Sequence, residues 1–420
     1  MKDILALCQA ARQASRPLAL LPASTKNAVL HALSDWLQAS QADIIAENRK
    51  DIADARKAGL NEAMIDRLTL TPERIHGMAD DLLHVAGLPD PVGEVFEESE
   101  LPNGLHMHKQ RVPLGVIAVI YESRPNVTVD VASLALKSGN ALVLRGGSET
   151  IRSNRILVKG IHAALNLAEV NESAVQFIDD PDRELVTRLL KMDTYIDMLI
   201  PRGGAGLHRF CREHATMPVM TGGIGICHLF VDASADLERS LDVIRNAKIQ
   251  RPTVCNALDT VLVHHQVAGR FIPQLFAALH RDGVSFRVDS SAMQACHLPP
   301  EAQVQPAGEG DFDTEWLSLV LGIKMVSGLD EAIAHIAVHS TGHSDGILTG
   351  DEGHAARFVA EVDSAAVYVN ASTRFTDGSQ MGLGAEVAVS TQRLHARGPM
   401  ALRELTTYKW VVRGDYHTRP

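Results

Sequence analysis

No block of lysine or arginine interrupts this sequence. Its 420 residues carry 40 basic against 51 acidic side chains, a formal charge of −11. A nucleic-acid or anionic-membrane surface needs a concentrated basic face, and its absence argues against both partners. A few local arginines can still hold an anionic small substrate against that overall sign. Cysteine is scarce as well. The 5 thiols, Cys8, Cys211, Cys227, Cys255 and Cys296, are odd in number, and no two lie at metal-clip spacing. That pattern fits a reducing compartment better than a disulfide framework, and it leads to no expected metal site. Also missing is any apolar run near the roughly 20 residues that span a bilayer. The opening stretch, MKDILALCQAARQASRP, has Asp3 early and Arg12 and Arg16 cutting its apolar residues. It reads as an amphipathic helix rather than a secretory signal. There is no internal repeat and no low-complexity tail. A cytoplasmic location is expected.

What is present has the balance of a globular protein, 45% hydrophobic and 22% charged, in a chain long enough for two or three domains. The first hundred residues read as helices. Thr71-Pro72-Glu73 is an N-cap with proline in the first turn, Gly87 and Pro89 stop that helix, and Gly59 ends the one carrying Ile44, Ile45 and Ile52. Around Asn103-Gly104 the pattern turns to a hairpin, with a strand over His106–Val112. Short apolar strands follow at Val116–Tyr121, Ala141–Arg145, Ala174–Ile178 and Tyr195–Ile200, with helices near 127–138, 150–166, 182–191 and 205–213. Apolar strands joined by helices predict βαβ crossovers and a parallel sheet covered on both faces. A second α/β series runs from about Ile226 to Asn370, with strands near 259–263, 284–288, 319–326 and 365–370. Leu298–Asp313, rich in proline, glycine and acids, reads as a mobile surface loop.

Two glycine turns could carry ligand chemistry. Arg202-Gly203-Gly204-Ala205-Gly206 follows a strand and opens a helix, where backbone N–H groups can hold a phosphate. Its spacing is not the usual dinucleotide fingerprint, so a tight structural turn stays open as the alternative. Arg145-Gly146-Gly147-Ser148-Glu149 is a second strand–turn–helix junction, and its arginine at the strand's carboxyl end suits a ribose 2′-phosphate or is simply solvated. Cys255 sits at a helix–strand junction beside Arg251 and Pro252, the partly exposed, electropositive setting that a reactive thiolate needs. A buried, inert thiol is the alternative there, and it is the expectation for Cys8, Cys211, Cys227 and Cys296. His335, His339 and His343 recur every four residues with Glu331, a spacing that zinc sites use. Thr341-Gly342 should end the helix before His343, which favours helix packing and a dipole contact instead. Arg374 and Arg397 each end a strand or a turn and could clamp an anion or be solvated.

The order of these pieces resembles the aldehyde dehydrogenase superfamily. Leu136-Lys137-Ser138-Gly139-Asn140 with the Arg145–Glu149 turn is similar to its cofactor segment, where a lysine-proline-serine-glutamate turn grips the adenosine ribose. Thr221-Gly222-Gly223, Cys255, Glu315-Trp316 and Val367-Tyr368-Val369-Asn370 follow in the superfamily's sequence. Within it, Tyr121–Val127, the turn at Pro201–Gly206, the stretch AIAHIAVHSTGHSDGI at 332–347 and the block 382–405 resemble the γ-glutamyl phosphate reductases, over nearly the whole chain.

The resemblance implies an α/β, aldehyde-dehydrogenase-like fold: two open α/β lobes, one for cofactor and one for catalysis, plus a small oligomerisation element. An NADPH-binding domain is then expected at 1–100 and 114–224, a catalytic domain with its nucleophilic cysteine at 225–400, and the oligomerisation element at 101–113 and 401–420. The implied reaction is NADPH-dependent reduction of L-glutamyl 5-phosphate to L-glutamate 5-semialdehyde and phosphate, in proline biosynthesis. It would run in a homo-oligomer supplied by glutamate 5-kinase. Cys255 would form a thioester. Arg145, Gly146, Gly147, Ser148, Gly203, Gly204 and Gly206 would hold the cofactor, Glu315 its nicotinamide ribose, and Arg374 and Arg397 the substrate's anionic groups. At the superfamily's oxyanion asparagine this chain has Glu122, and Asn126 is the nearest amide that could serve. Where oxidising members carry a general-base glutamate it has Met220. Another acyl-phosphate or acyl-CoA reductase of the superfamily, or a noncatalytic subunit, would share most of these residues.

Overall fold

The computed structural model describes residues 3–222, 224–295 and 303–419. By its contacts the chain divides into two compact units. One runs up to Thr221 and takes in Gly382–Ala388 and the chain from Met400 onward; the other comprises Gly222–Met381 and Val389–Pro399. Cys296 lies outside the described residues, as does Gly223.

The first unit opens with five helices, α1 (Ile4–Leu18), α2 (Ala23–Ala39), α3 (Gln41–Lys57), α4 (Glu62–Leu68) and α5 (Pro72–Gly87). Their starts are set by local chemistry: Asp3, Asn61 and Thr71 each accept a backbone N–H in the first turn, and Pro72 occupies the position where a missing N–H costs nothing. Strands β1 (Val95–Glu100) and β2 (His106–Pro113) then form an antiparallel pair. A parallel sheet follows, built from β3 (Val116–Tyr121), β4 (Ala141–Arg145), β5 (Val175–Phe177) and β6 (Met198–Arg202) in the order β5-β4-β3-β6. Its helices are α6 (Val127–Lys137), α7 (Ile151–Leu167), α8 (Arg183–Leu189) and α9 (Ala205–His214). Every residue of β3 and β4 is buried, which is why both read as unbroken apolar runs. Gly139, at φ +76°, makes the turn between α6 and β4 with a backbone that side chains rarely adopt. The next residue, Asn140, closes it by accepting from the Gly115 N–H and donating to the Leu405 carbonyl, both at 2.8 Å.

The second unit is one parallel sheet of seven strands in the order β10-β9-β11-β8-β7-β12-β13, with one register shift, at Cys227/His228 where β7 meets β8. These are β7 (Cys227–Val231), β8 (Leu258–His264), β9 (Ser285–Val288), β10 (Val304–Pro306), β11 (Val320–Val326), β12 (Ser344–Leu348) and β13 (Ala366–Val369). Helices α10 (Leu237–Ile249), α11 (His265–His280), α12 (Ser290–Ala295), α13 (Leu329–His339) and α14 (Glu352–Glu361) connect them. Phe271, Phe276, Phe286, Val261 and Ile323 are fully buried in its core. Two short strands, β14 (Ala388–Ser390) and β15 (Gly398–Met400), precede β16 (Thr406–Arg413). That last strand belongs to the first unit, where it pairs antiparallel with β2, from Thr406 against Pro113 to Arg413 against His106.

The differences from the sequence reading have physical causes. Tyr195 and Ile196 are in a turn, both donating to the Met192 carbonyl, so the fourth strand starts only at Met198. The hairpin before β3 begins at Val95, inside the segment expected to belong to the NADPH-binding part. Its solvent-facing glutamates hide the alternation that marks a strand. Val304–Pro306, expected to be loop, adds a strand beside β9. Strand β12, SDGIL, carries no apolar run at its start. It forms because Asp345 is satisfied there, accepting from the His228 N–H and imidazole and from the Ser340 and Ser364 hydroxyls. Helix α13 ends at His339, as Thr341-Gly342 predicted. The His335 and His339 rings meet on it at 4.3 Å, tilted by 37°, and His343 binds Ser344 instead.

Candidate active site

A cleft of about 1170 Å³ opens in the first unit at the carboxyl ends of β3 and β4, the edge where open parallel sheets bind ligands. It is lined by Tyr121, Glu122 and Ser123 after β3, by Arg145, Gly147, Ser148 and Glu149 after β4, and by Arg183, Leu207 and Phe210. Of the expected cofactor residues, Arg145, Gly147 and Ser148 line it, whereas Gly146, Gly203, Gly204 and Gly206 do not. The Gly204 N–H donates to the Glu122 carboxylate at 3.1 Å, so an internal anion already occupies that turn. Gly146 is needed for packing: a Cβ there would meet the Asn154 amide and come 3.1 Å from the Tyr121 ring.

Arg145 is 8% exposed, and its guanidinium is engaged. It donates to the Gly146 carbonyl at 2.8 Å and to the Pro181 carbonyl at 2.9 Å, and burial pushes its pKa below the ordinary value. Arg183, two residues beyond Pro181, is exposed and has no ion pair among the described residues. Glu149 performs a task the sequence did not reveal. Its carboxylate accepts from the Ser123 N–H at 2.8 Å and holds Ser123 in the left-handed region, at φ +56°. Asn126 stands at the start of α6 with its amide donating to Asp130 at 2.7 Å. Burial pushes that carboxyl up to about 7, while the bond from Asn126 pulls it down. Met220 is 2% exposed and belongs to the core.

In the second unit, Cys255 sits half-buried in the turn between α10 and β8. Its neighbours pin that turn from several directions. The Cys227 thiol donates to the Cys255 carbonyl at 3.3 Å. Asn256 donates to the carbonyls of Arg374 and Thr376, and its own carbonyl accepts from Thr373 at 2.8 Å. Arg374 reaches back to both flanks of the turn, to the Gln250 side chain at 3.0 Å and to the Asn256 side chain. On the other side, the Gly225 N–H donates to Glu315 at 2.9 Å, and Thr341 bonds both the Ile224 carbonyl and the Ile226 N–H. Glu315 is half-buried, and desolvation pushes it up to about 7, against the pull of the Gly225 bond. The next residue, Trp316, is tied through its backbone N–H to Asp259, which is paired in turn with buried Lys248 at 3.6 Å. The other described thiols are shut away. Burial raises Cys8 to about 12, Cys211 to about 11 and Cys227 well above its ordinary value.

Cys255, Glu315 and Arg374 are therefore brought into one neighbourhood. Arg397 is not free to join them as a clamp, since it pairs with Asp363 at 2.6 Å and also bonds that residue's carbonyl. Gly225 and Asn256 escaped the sequence reading, in which Thr341 figures only as a helix stop. Thr341 lies inside the stretch that carries the family resemblance, which was the one available signal. Among the described residues no group of histidine, cysteine and carboxylate side chains could hold a metal, and no helix is long and apolar enough to cross a membrane.

The family model for the aldehyde dehydrogenase family matches residues 1–296. A γ-glutamyl phosphate reductase of Cronobacter sakazakii is 56% identical over 407 residues, 97% of each chain. The crystal structure of a γ-glutamyl phosphate reductase from Thermotoga maritima superposes with a TM-score of 0.96 at 47% identity, covering 99% of both chains. An engineered glycolyl-CoA reductase with bound NADP⁺ shares the fold at 16% identity, with a TM-score of 0.70 over 98% of this chain and 97% of its own. The chain belongs to the γ-glutamyl phosphate reductases of the aldehyde dehydrogenase family.

Proposed function

We propose that the chain reduces L-glutamyl 5-phosphate to L-glutamate 5-semialdehyde and phosphate with NADPH, the second step of proline biosynthesis from glutamate. One observation carries the chemistry: among the described cysteines only Cys255 is not buried, and it sits in a turn fixed on both flanks. Its thiolate attacks the acyl carbon; the C–S bond forms as the C–O bond to phosphate breaks, leaving a thioester and inorganic phosphate. NADPH supplies the hydride that reduces the thioester. The resulting thiohemiacetal collapses to the aldehyde and returns the thiolate. Each tetrahedral oxyanion takes the Cys255 backbone N–H and, in this reading, the Asn126 amide, which Asp130 orients.

The residues of the cleft suit a nicotinamide nucleotide. Leu207 and Phe210 offer an apolar wall, Ser148 and Glu149 offer partners for ribose hydroxyls, and Gly147 lets the turn approach closely. Arg145 shapes that turn, and Arg183, which has no ion pair among the described residues, takes the 2′-phosphate. Glu315 takes the nicotinamide ribose. The sheet of β1, β2 and β16 serves as the oligomerisation element of a homo-oligomer, with Tyr408, Trp410 and Val412 exposed on β16. A cytoplasmic setting with glutamate 5-kinase as supplier completes the reading. The experiment is NADPH oxidation coupled to in situ synthesis of γ-glutamyl phosphate, because that substrate is labile. Turnover with an acyl-CoA and none with the acyl phosphate would favour a CoA-acylating enzyme instead.

A further inference from the structure

Two cations stand at the thiol turn, and among the described residues no acid is bonded to either. Arg374 spends its Nε on the Gln250 carboxamide at 3.0 Å and one terminal nitrogen on the Asn256 carboxamide, both neutral acceptors. Neither Arg374 nor Arg251 makes an ion pair among the described residues. Of the carboxylates, Asp377 acts on Arg374 through its charge without bonding it, and its Oδ1 accepts from Ser379 and from the Gln380 N–H. Arg251 directly follows Gln250, the residue that Arg374 bonds, and is exposed; burial first and the charge of Arg251 second lower the pKa of Arg374. Holding two guanidinium groups near each other with no acid bonded to either is costly, and an arriving anion offsets that cost. These two sit where Arg374 brackets the turn, one residue from Cys255 on the Asn256 side.

We propose that Arg251, with Arg374, forms the subsite for the phosphoryl group of the acyl phosphate that Cys255 attacks. The claim rests on the acyl-phosphate reading above and deepens it. It assigns the guanidinium pair to the departing phosphate and not to the substrate's α-carboxylate. Phosphate leaves with the electron pair of the broken C–O bond and gains negative charge, so a cation there stabilises the transition state more than the ground state. In reverse, the same subsite positions inorganic phosphate to attack the thioester: the C–O bond forms, the C–S bond breaks, and the Cys255 thiolate is released. Arg374 is tied into the turn, and removing it would disturb the fold of the site. Arg251 is exposed and has no side-chain bond among the described residues, so its removal reads the charge alone.

The test is oxidation of glutamate semialdehyde with NADP⁺ at varied phosphate, comparing the wild-type protein with Arg251→Ala and Arg251→Lys. The expected result is a rise of about tenfold or more in the KM for phosphate with Arg251→Ala, partly restored by lysine. KM values for NADP⁺ and for the semialdehyde should stay within about twofold. A second readout needs no turnover: inorganic phosphate should slow alkylation of Cys255 by iodoacetamide in the wild type and not in Arg251→Ala. An unchanged phosphate KM with equal protection in both proteins would overturn the proposal. So would a rise confined to the semialdehyde KM, which would put Arg251 on the α-carboxylate. If the wild type shows no phosphate-dependent oxidation, the acyl-phosphate reading itself fails, and the protection experiment still decides whether Arg251 holds phosphate.

Discussion

Gly225 and Cys255 meet backbone to backbone. A Cβ on Gly225 would land on the Cys255 carbonyl oxygen and lie 2.6 Å from its carbonyl carbon and 3.2 Å from its Cα. The same glycine donates its N–H to Glu315 at 2.9 Å. The neighbour here is main chain, which cannot swing aside as a side chain would. Gly225→Ala should therefore displace the thiol turn. Misplacing a reacting group by about 1 Å costs roughly 10²-fold, so kcat should fall by about that much while NADPH affinity changes less. Steady-state kinetics with a circular-dichroism check of folding measures it, and an alanine variant with normal kcat would show that the contact is not needed.

Glu315 leads to a pH prediction. Its pKa is raised from 4.5 to about 7, chiefly by burial. The folded protein then holds a proton that the unfolded chain has lost between these values, so stability falls as pH rises from about 4.5 to 7. Glu315→Gln removes that cost and keeps an acceptor for Gly225. The variant should match the wild type near pH 4.5 and exceed it by on the order of 1–3 kcal/mol at pH 8. Urea unfolding at the two pH values checks this. In the wild type the KM for NADPH should also improve as pH rises through about 7, and it should stay flat in the glutamine variant.

Thiol chemistry separates Cys255 from the rest. With Cys8 and Cys211 pushed up to about 12 and about 11, and Cys227 raised as well, none forms thiolate at pH 7.5. Iodoacetamide should modify Cys255 and leave these three intact by mass spectrometry. Cys255→Ala should fold normally and lose all turnover. Substantial activity in that variant would end the thioester mechanism.

Cofactor choice should respond to Arg183 more selectively than to Arg145. Arg183→Ala removes an exposed cation from the cleft, and the KM for NADPH should rise about tenfold with little change for NADH. Arg145→Ala instead deprives the Gly146 and Pro181 carbonyls of their donors. It should weaken both cofactors alike and lower stability by about 1–3 kcal/mol. Measuring both variants with both cofactors distinguishes the two roles.

Met220, buried in the core, has no group able to activate water. General-base assistance, typically worth roughly 10²–10⁴-fold, should be missing from thioester hydrolysis. Oxidation of glutamate semialdehyde with NADP⁺ should consequently need added phosphate or arsenate. Steady NADPH formation in phosphate-free buffer, with glutamate as product, would identify another base.

Local patterning along the chain determined much of this protein. The unbroken apolar runs of β3 and β4 mark a sheet covered on both faces, because only two-sided burial removes the polar alternation. Thr71-Pro72 starts a helix by its own hydrogen bond and fixed φ, wherever that helix packs. Cys255 and the glycine turns were visible as junctions of elements. Tertiary structure alone decided which of these residues can act. Arg145 and Arg397 look like available cations in sequence, yet partners 36 and 34 positions away, at Pro181 and Asp363, engage them. Gly225 is a plain glycine until the fold presses it against a carbonyl 30 residues on. Strand β12 forms from a polar sequence because His228, on a neighbouring strand, and two serines satisfy Asp345. Short-range terms such as capping, turns and periodicity act between residues a few positions apart and can be read in order. Charge pairing and close backbone approach act between residues that only the folded chain brings together.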